Sequence, residues 1–210
     1  MRIERYGLHL ETLKAAHLEQ VRQWRNADHV RTHMDHQEPI GLQAQQRWFV
    51  QLDPGNNLYL IISVADTPIG VVNLKAIDWT RSVGEAGIFI GSLAHLNTTY
   101  PMLAVLALMD LAFYWLQMQR LRAKVHAKAL DFNTRLGYRP EQPDAPSPFP
   151  YYTVDQKTYL ASAQALRTTA GKMHGPSTVF HFEGDTDHFW KDCTERMPDS
   201  HRQALDLRIA

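Results

Sequence analysis

PIGVVNLKAIDWTRSVGEAGIFIGSLAHLNTTYPMLAVLALMDLAFYWLQMQRLRAKVHAKALDFNTRLGY, residues 68–138, carries the strongest fold signal in the chain. Residues 69–77 and 85–91 are short, rich in β-branched and apolar residues, and separated by a polar connection, so both read as strands. The apolar run at 101–116 is shorter than the ~20 residues a membrane-spanning helix needs, and it contains Asp110. It reads as a buried helix running over 101–119. A short strand at 121–126 and a short helix at 128–136 follow, and Gly137 is placed to cap that helix.

Working toward the N-terminus, residues 57–65 (NLYLIISVA) form a further strand. Asp66-Thr67-Pro68 supplies the turn of an antiparallel hairpin, which makes a three-strand meander with the two strands above. Residues 6–10 read as a strand. Thr12 is then an N-cap for a helix over 13–26, in which Leu18, Val21 and Trp24 recur at helical spacing. Residues 26–39 are polar and histidine-rich and read as a loop with a short helix. Residues 42–52 read as a helix with Trp48, Phe49 and Leu52 on one side.

Toward the C-terminus, residues 140–150 hold five prolines and read as an extended loop. A strand at 151–154 follows, and Asp155 caps a helix through 166. From residue 168 the chain turns rich in charge, histidine and glycine, with a strand at 178–182 and a helix at 200–207. The organisation is a domain over 1–167 and a C-terminal extension over 168–210.

Composition narrows the function classes. A chain of 210 residues, 44% apolar, can bury a sizeable core. Its 22 basic and 22 acidic residues cancel, so no basic field points to a nucleic-acid or membrane partner. Cys193 is the single cysteine, which excludes an intramolecular disulfide framework and suits a reducing compartment. The opening MRIERYGLHLETL lacks an apolar core of signal-peptide length. A cytoplasmic protein is the expectation.

Helix, helix, three-strand meander, long helix, strand, short helix, strand is an order that resembles the GNAT superfamily of N-acetyltransferases. PIGVVNL (68–74) resembles the strand after the family's hairpin, GEAGIFIG (84–91) its central strand, and KALDFNTRLGYRP (128–140) its closing segment. WRNADHVRTHM (24–34) and QQRWF (45–49) resemble the branch of ribosomal-protein N-terminal acetyltransferases, and within it aminosugar-nucleotide acetyltransferases. The resemblance covers about 1–160. It implies an α+β fold with a mixed, mostly antiparallel central sheet flanked by helices. It also implies acetyl-CoA as co-substrate, its pantetheine lying along the backbone of Ile88, Phe89 and Ile90 where the central strand parts from the next. The pyrophosphate is then expected at the N-terminus of the long helix, where free N–H groups and the helix dipole favour an anion.

Two places depart from the family's pattern. The segment SLAHLNTTYP (92–101) contains no glycine where the family's phosphate loop is glycine-rich. Asn97, Thr98 and Thr99 are the groups left to meet phosphate. The position where many members carry a proton-donating Tyr is Asn133, whose amide is no acid. His126 aligns with the usual Asn at the start of that helix and is a candidate acid or a backbone-holding group.

Acyl transfer to an amine needs a proton acceptor near the thioester. Glu85 on the central strand is the candidate base or water-orienter. The acceptor site implied by the resemblance comprises Arg25, Asn26, Arg31, Met34, Trp48 and Asn73, with Arg suited to a phosphate or carboxylate and Trp to a sugar or aromatic face. His29, His33 and His36 share a helical face at a spacing that can bind zinc, yet no clear acidic companion stands out and no metal is expected. The expected activity is acetyl transfer to a primary amine of an amino sugar nucleotide or a protein N-terminus. Two alternatives stay open: a catalytically silent ligand- or partner-binding module, and an acyltransferase with a non-standard acyl donor. The extension 168–210 either covers the acceptor cleft or mediates a homodimer.

Overall fold

Strand register positions everything that follows. The computed structural model describes residues 1–141, 149–183 and 187–210. The chain opens as an antiparallel hairpin of β1 (Arg2–Arg5) and β2 (Leu8–Thr12). Its two-residue turn is Tyr6-Gly7, with φ of 52° and 73°. Two consecutive left-handed residues are what a type I′ turn requires. This corrects the expected strand 6–10, which begins only at Leu8. Thr12 ends β2 and donates its hydroxyl to the Met1 carbonyl at 3.2 Å, so it caps no helix.

The first helix, α1 (Leu18–Asn26), starts after a 3₁₀ turn and leads into α2 (Asp28–Arg31) and, past a loop, α3 (Leu42–Val50). Next come β3 (Leu58–Val64), β4 (Thr67–Asp78) and β5 (Val83–Ile90), the expected meander. The β3–β4 turn lies at Ala65-Asp66, with φ of 45° and 64°, and not at 66–68. A short α4 (Leu93–Leu96) precedes α5 (Tyr100–Asp110). Nearly every residue of α5 from Leu103 onward is buried, as its continuous apolar sequence demands. It then widens into a π-helical turn, Leu111–Trp115. The expected 101–119 helix therefore stops short, and Gln117 takes a left-handed φ of 55°.

The C-terminal half adds β6 (Arg120–Lys124), α6 (Leu130–Arg135), β7 (Arg139–Pro140), β8 (Tyr151–Asp155), α7 (Gln156–Ser162) and α8 (Gln164–His174). Gly137, at φ 94°, ends α6 in a Schellman motif: its N–H bonds Thr134 O at 3.0 Å, and the Tyr138 N–H bonds Asn133 O at 3.1 Å. Asp155 caps α7 by accepting from the Thr158 N–H at 2.8 Å. The rest of the expected 140–150 loop falls largely on residues 142–148, outside the described residues. Finally come β9 (Thr178–His181), α9 (His188–Glu195), α10 (Asp199–Leu205) and β10 (Leu207–Ile209).

The strands form one sheet in the order β10-β9-β1-β2-β3-β4-β5-β6-β8-β7. Among the described residues only β5–β6 and β9–β10 run parallel, so the sheet is mixed and mostly antiparallel. One face packs on α5 and its continuation, forming the main core. The other carries α1, which seats Val21 and Trp24 against Ile61, Val71 and Phe89. No helix among the described residues is long and apolar enough to cross a membrane.

Candidate active site

The site begins where two parallel strands part. β5 and β6 pair over three rungs only, Val83 to Glu85 against Arg120 to Arg122. β6 stays bound to β8 as far as Lys124–Tyr151 and so leaves β5 behind. Beyond Glu85, β5 pairs with β4 on one side, and among the described residues no strand takes its other side. Backbone N–H and C=O groups on an open edge are a template for an extended ligand.

Beside this edge lies a cleft of about 500 Å³. Its floor is Ala86, Gly87, Ile88 and Phe89 of β5 with Asn73 and Lys75 of β4. Arg25 of α1, His33 to His36 of the following loop, and Trp48 of α3 wall it. Trp48 meets Tyr59 edge to face at 5.2 Å. Of the acceptor-site candidates the cleft therefore gathers Arg25, Met34, Trp48 and Asn73, together with Glu85, Ile88 and Phe89.

The remaining candidates lie outside its lining. Asn26 braces the loop, donating to Ile40 O at 2.9 Å and accepting from Ile40 N at 2.8 Å. Arg31 pairs with Asp28 at 2.7 Å and donates to Gln37 O at 3.1 Å. Ile90 is 5% exposed and belongs to the core. Asn97, Thr98 and Thr99 are exposed, and the Thr98 hydroxyl is spent on His95 O at 2.8 Å. His126 caps the turn before α6 by accepting at Nδ1 from the Lys128 N–H at 3.2 Å, with its ring 4.6 Å from His33. Asn133 donates to Ala129 O at 2.8 Å, within its own helix.

Glu85 is the centre of the cleft's polar contacts. Its carboxylate is held by Lys75 Nζ at 2.8 Å and by the Tyr151 hydroxyl at 3.0 Å. Lys75 is its cross-strand partner, and Tyr151 arrives from β8. Burial, then the neighbouring Glu85 charge, holds the Tyr151 hydroxyl above its ordinary value, so it donates and does not ionise near neutrality. The Arg122 guanidinium stacks 4.2 Å over the Tyr151 ring. Lys124 ion-pairs with Asp35 across the cleft mouth. Sequence reasoning passed over Lys75, Tyr151, Asp35 and Lys124. Hairpin alternation was a usable signal for Lys75, since it places that residue on the face shared by Asn73 and Glu85. Nothing local announces Tyr151, which is 66 residues from Glu85.

The fit to a pantetheine ligand is good at β5 and poor at the phosphate end. The open edge offers backbone partners, while at the phosphate end Leu93–Leu96 form the short α4 with Leu93 and Leu96 exposed. A mostly antiparallel sheet opened between two parallel strands, with a carboxylate-bearing cleft at the opening, is the architecture of an N-acetyltransferase. A model of the acetyltransferase (GNAT) domain matches residues 7–130, more than half of the chain, and the chain belongs to that family. No curated protein matches significantly by sequence.

Similar solved structures agree on the fold. A spermidine N-acetyltransferase from Vibrio cholerae, in complex with CoA and spermine, is 16% identical over 73% of this chain and 98% of its own, with a TM-score of 0.62. A dodecameric form of spermidine N-acetyltransferase from Vibrio cholerae is 16% identical over 73% of this chain and 96% of its own, at a TM-score of 0.59. A domain from Methanocaldococcus jannaschii is 17% identical over 70% of this chain and 97% of its own, also at 0.59.

Proposed function

We propose that this N-acetyltransferase moves the acetyl group of acetyl-CoA onto a primary amine of an amino sugar nucleotide or a protein N-terminus, in the cytoplasm. The observation that carries the reading is the edge of β5 beyond Glu85, unpaired among the described residues and opening directly onto the cleft. Ile88 and Phe89 are the backbone rail for the pantetheine. Acetyl-CoA supplies the thioester carbonyl that the amine attacks. Glu85 accepts the amine's proton, directly or through one water, while Lys75 and Tyr151 hold its carboxylate in place. Peptide N–H groups of the same strand are the candidate donors to the oxyanion.

The short α4 favours a second reading in which the acyl donor is pantetheine carried on a protein, which has no nucleotide phosphates to place. One experiment separates the readings. Acetyl-CoA is titrated calorimetrically and CoA release is measured with an amine panel, against the same panel with acetyl-charged carrier protein. Saturable binding and turnover with acetyl-CoA are the expected result. Turnover only from the carrier selects the second reading, and binding without turnover marks a silent module.

A further inference from the structure

The charges lining the cleft do not cancel. Lys75 is neutralised by Glu85 at 2.8 Å, and Lys124 by Asp35. Arg25 is left. It is half-buried in the cleft wall, its guanidinium 5.9 Å from the Phe89 ring, and no carboxylate among the described residues is within ion-pair distance of it. The groups that face it electrostatically are Tyr59, whose hydroxyl burial keeps protonated, and Asp35, already engaged with Lys124. A partly desolvated cation without a partner is costly, and its burial lowers the guanidinium's affinity for its proton.

A second group nearby is also incomplete. Asn73 Oδ1 is buried and has no hydrogen-bond partner. Its amide lies over Gly87, where a Cβ would come within 3.0 Å of Oδ1, so the missing side chain makes its place. The rungs Asn73–Gly87 and Lys75–Glu85 are successive on the same sheet face, and a diagonal neighbour on such a face is about 7–8 Å away. An amine between Asn73 and Glu85 meets one acceptor for its N–H and one base for its proton.

We infer that the acceptor bears an anionic group, carboxylate or phosphate, near its amine, that Arg25 receives the anion, and that Asn73 Oδ1 receives an amine N–H. The inference rests on the acetyltransferase reading and deepens it by naming the acceptor's charge. It sets this cleft apart from one built for a polyamine, whose every charge would meet Arg25 unfavourably.

The test compares glucosamine 1-phosphate, glutamate, neutral glucosamine and spermidine on the full chain, by calorimetric binding and by steady-state acetylation. The phosphate and carboxylate arms distinguish the two anion sources. Expected is a preference of roughly ten- to a hundredfold for one anionic acceptor over glucosamine, the scale of one charge-assisted contact. Arg25→Gln should bring that ratio close to one, and Arg25→Lys should restore part of it. Asn73→Leu should raise KM for every acceptor. Thermal melts establish that each variant is folded. Preferred use of spermidine, no preference for either anionic acceptor over glucosamine, or an unchanged ratio in Arg25→Gln overturns the inference. Arg25-dependent anion binding with no turnover leaves it standing and sinks the acetyltransferase reading instead.

Discussion

At the residue scale the decisive contacts are those of Glu85. A carboxylate fixed by one lysine and one tyrosine is oriented but not blocked, because 18% of its side chain remains exposed to the cleft. Glu85→Gln keeps the size and the Tyr151 contact and removes the proposed base. It should lower kcat by about 10²–10⁴-fold, the usual span for a general base, while KM for acetyl-CoA changes little. Steady-state kinetics with either substrate varied decide this, and an unchanged kcat removes Glu85 from the chemistry. Tyr151→Phe should cost less, since Lys75 still holds the carboxylate. Cys193 gives a prediction outside the site. Burial pushes its thiol up to about 11, so in the folded protein it is a poor nucleophile at pH 8. Iodoacetamide should modify it slowly at pH 8 and fully only after denaturation. What was legible of the candidate site is a set of positions: Arg25, Trp48, Asn73 and Glu85 line one cleft. What was not legible is what those side chains meet. The Glu85–Tyr151 contact depends on where β8 lands, and Asn26 and Arg31 are spoken for by backbone carbonyls that no spacing rule identifies.

At the scale of elements, caps and turns separate what could be read from what could not. Asp155 as N-cap and Gly137 as C-cap follow from residue type alone, and both form. Asp155→Ala should cost about 1 kcal/mol. Hydrogen bonds from the Thr158 backbone N–H and hydroxyl lower the Asp155 carboxyl. Its contribution is therefore complete above the ordinary carboxylate value and fades as pH falls through the lowered one. The melting-temperature gap between wild type and Asp155→Ala should be constant from pH 5 to 7 and shrink below about pH 4. A gap that persists undiminished at pH 2 refutes that account. The misplaced elements share one physical cause. Tyr6, Ala65, Asp66 and Gln117 all adopt φ between 44° and 65°, a left-handed backbone that non-glycine residue types do not advertise. Each shifts a turn or ends a helix where composition alone shows a continuous run. The π-helical turn at Leu111–Trp115 is equally silent, since its residues suit any buried helix.

At the scale of the whole molecule the central feature is a buried carboxylate that joins distant parts of the chain. Asp110, fully buried at the end of α5, accepts hydrogen bonds from Tyr6 at 2.7 Å, Tyr159 at 2.9 Å and Arg167 at 2.7 Å, and ion-pairs with Arg5. Arg5 also bonds Thr178 of β9. Around this junction β9 pairs with β1, and Trp115 packs between Phe180 at 4.9 Å and Trp190 at 5.5 Å while donating to Thr194 at 2.8 Å. Residues beyond 167 thus fill the same core as the first half, although their composition reads as that of an appendage. Two experiments follow from this. Ending the chain after residue 167 exposes β1 and the Trp115 face, so the fragment should lose its cooperative urea transition. Asp110→Leu leaves both Arg5, only 2% exposed, and Arg167 without their carboxylate and should cost about 3–5 kcal/mol. Pairing it with Arg5→Met removes the more deeply buried of the two stranded charges, so the double variant should be more stable than the sum of the single losses predicts. Urea midpoints of the four proteins measure that coupling. Strict additivity, or a truncated chain that still melts cooperatively, would show that the extension is an accessory after all and that the sheet closes without β9.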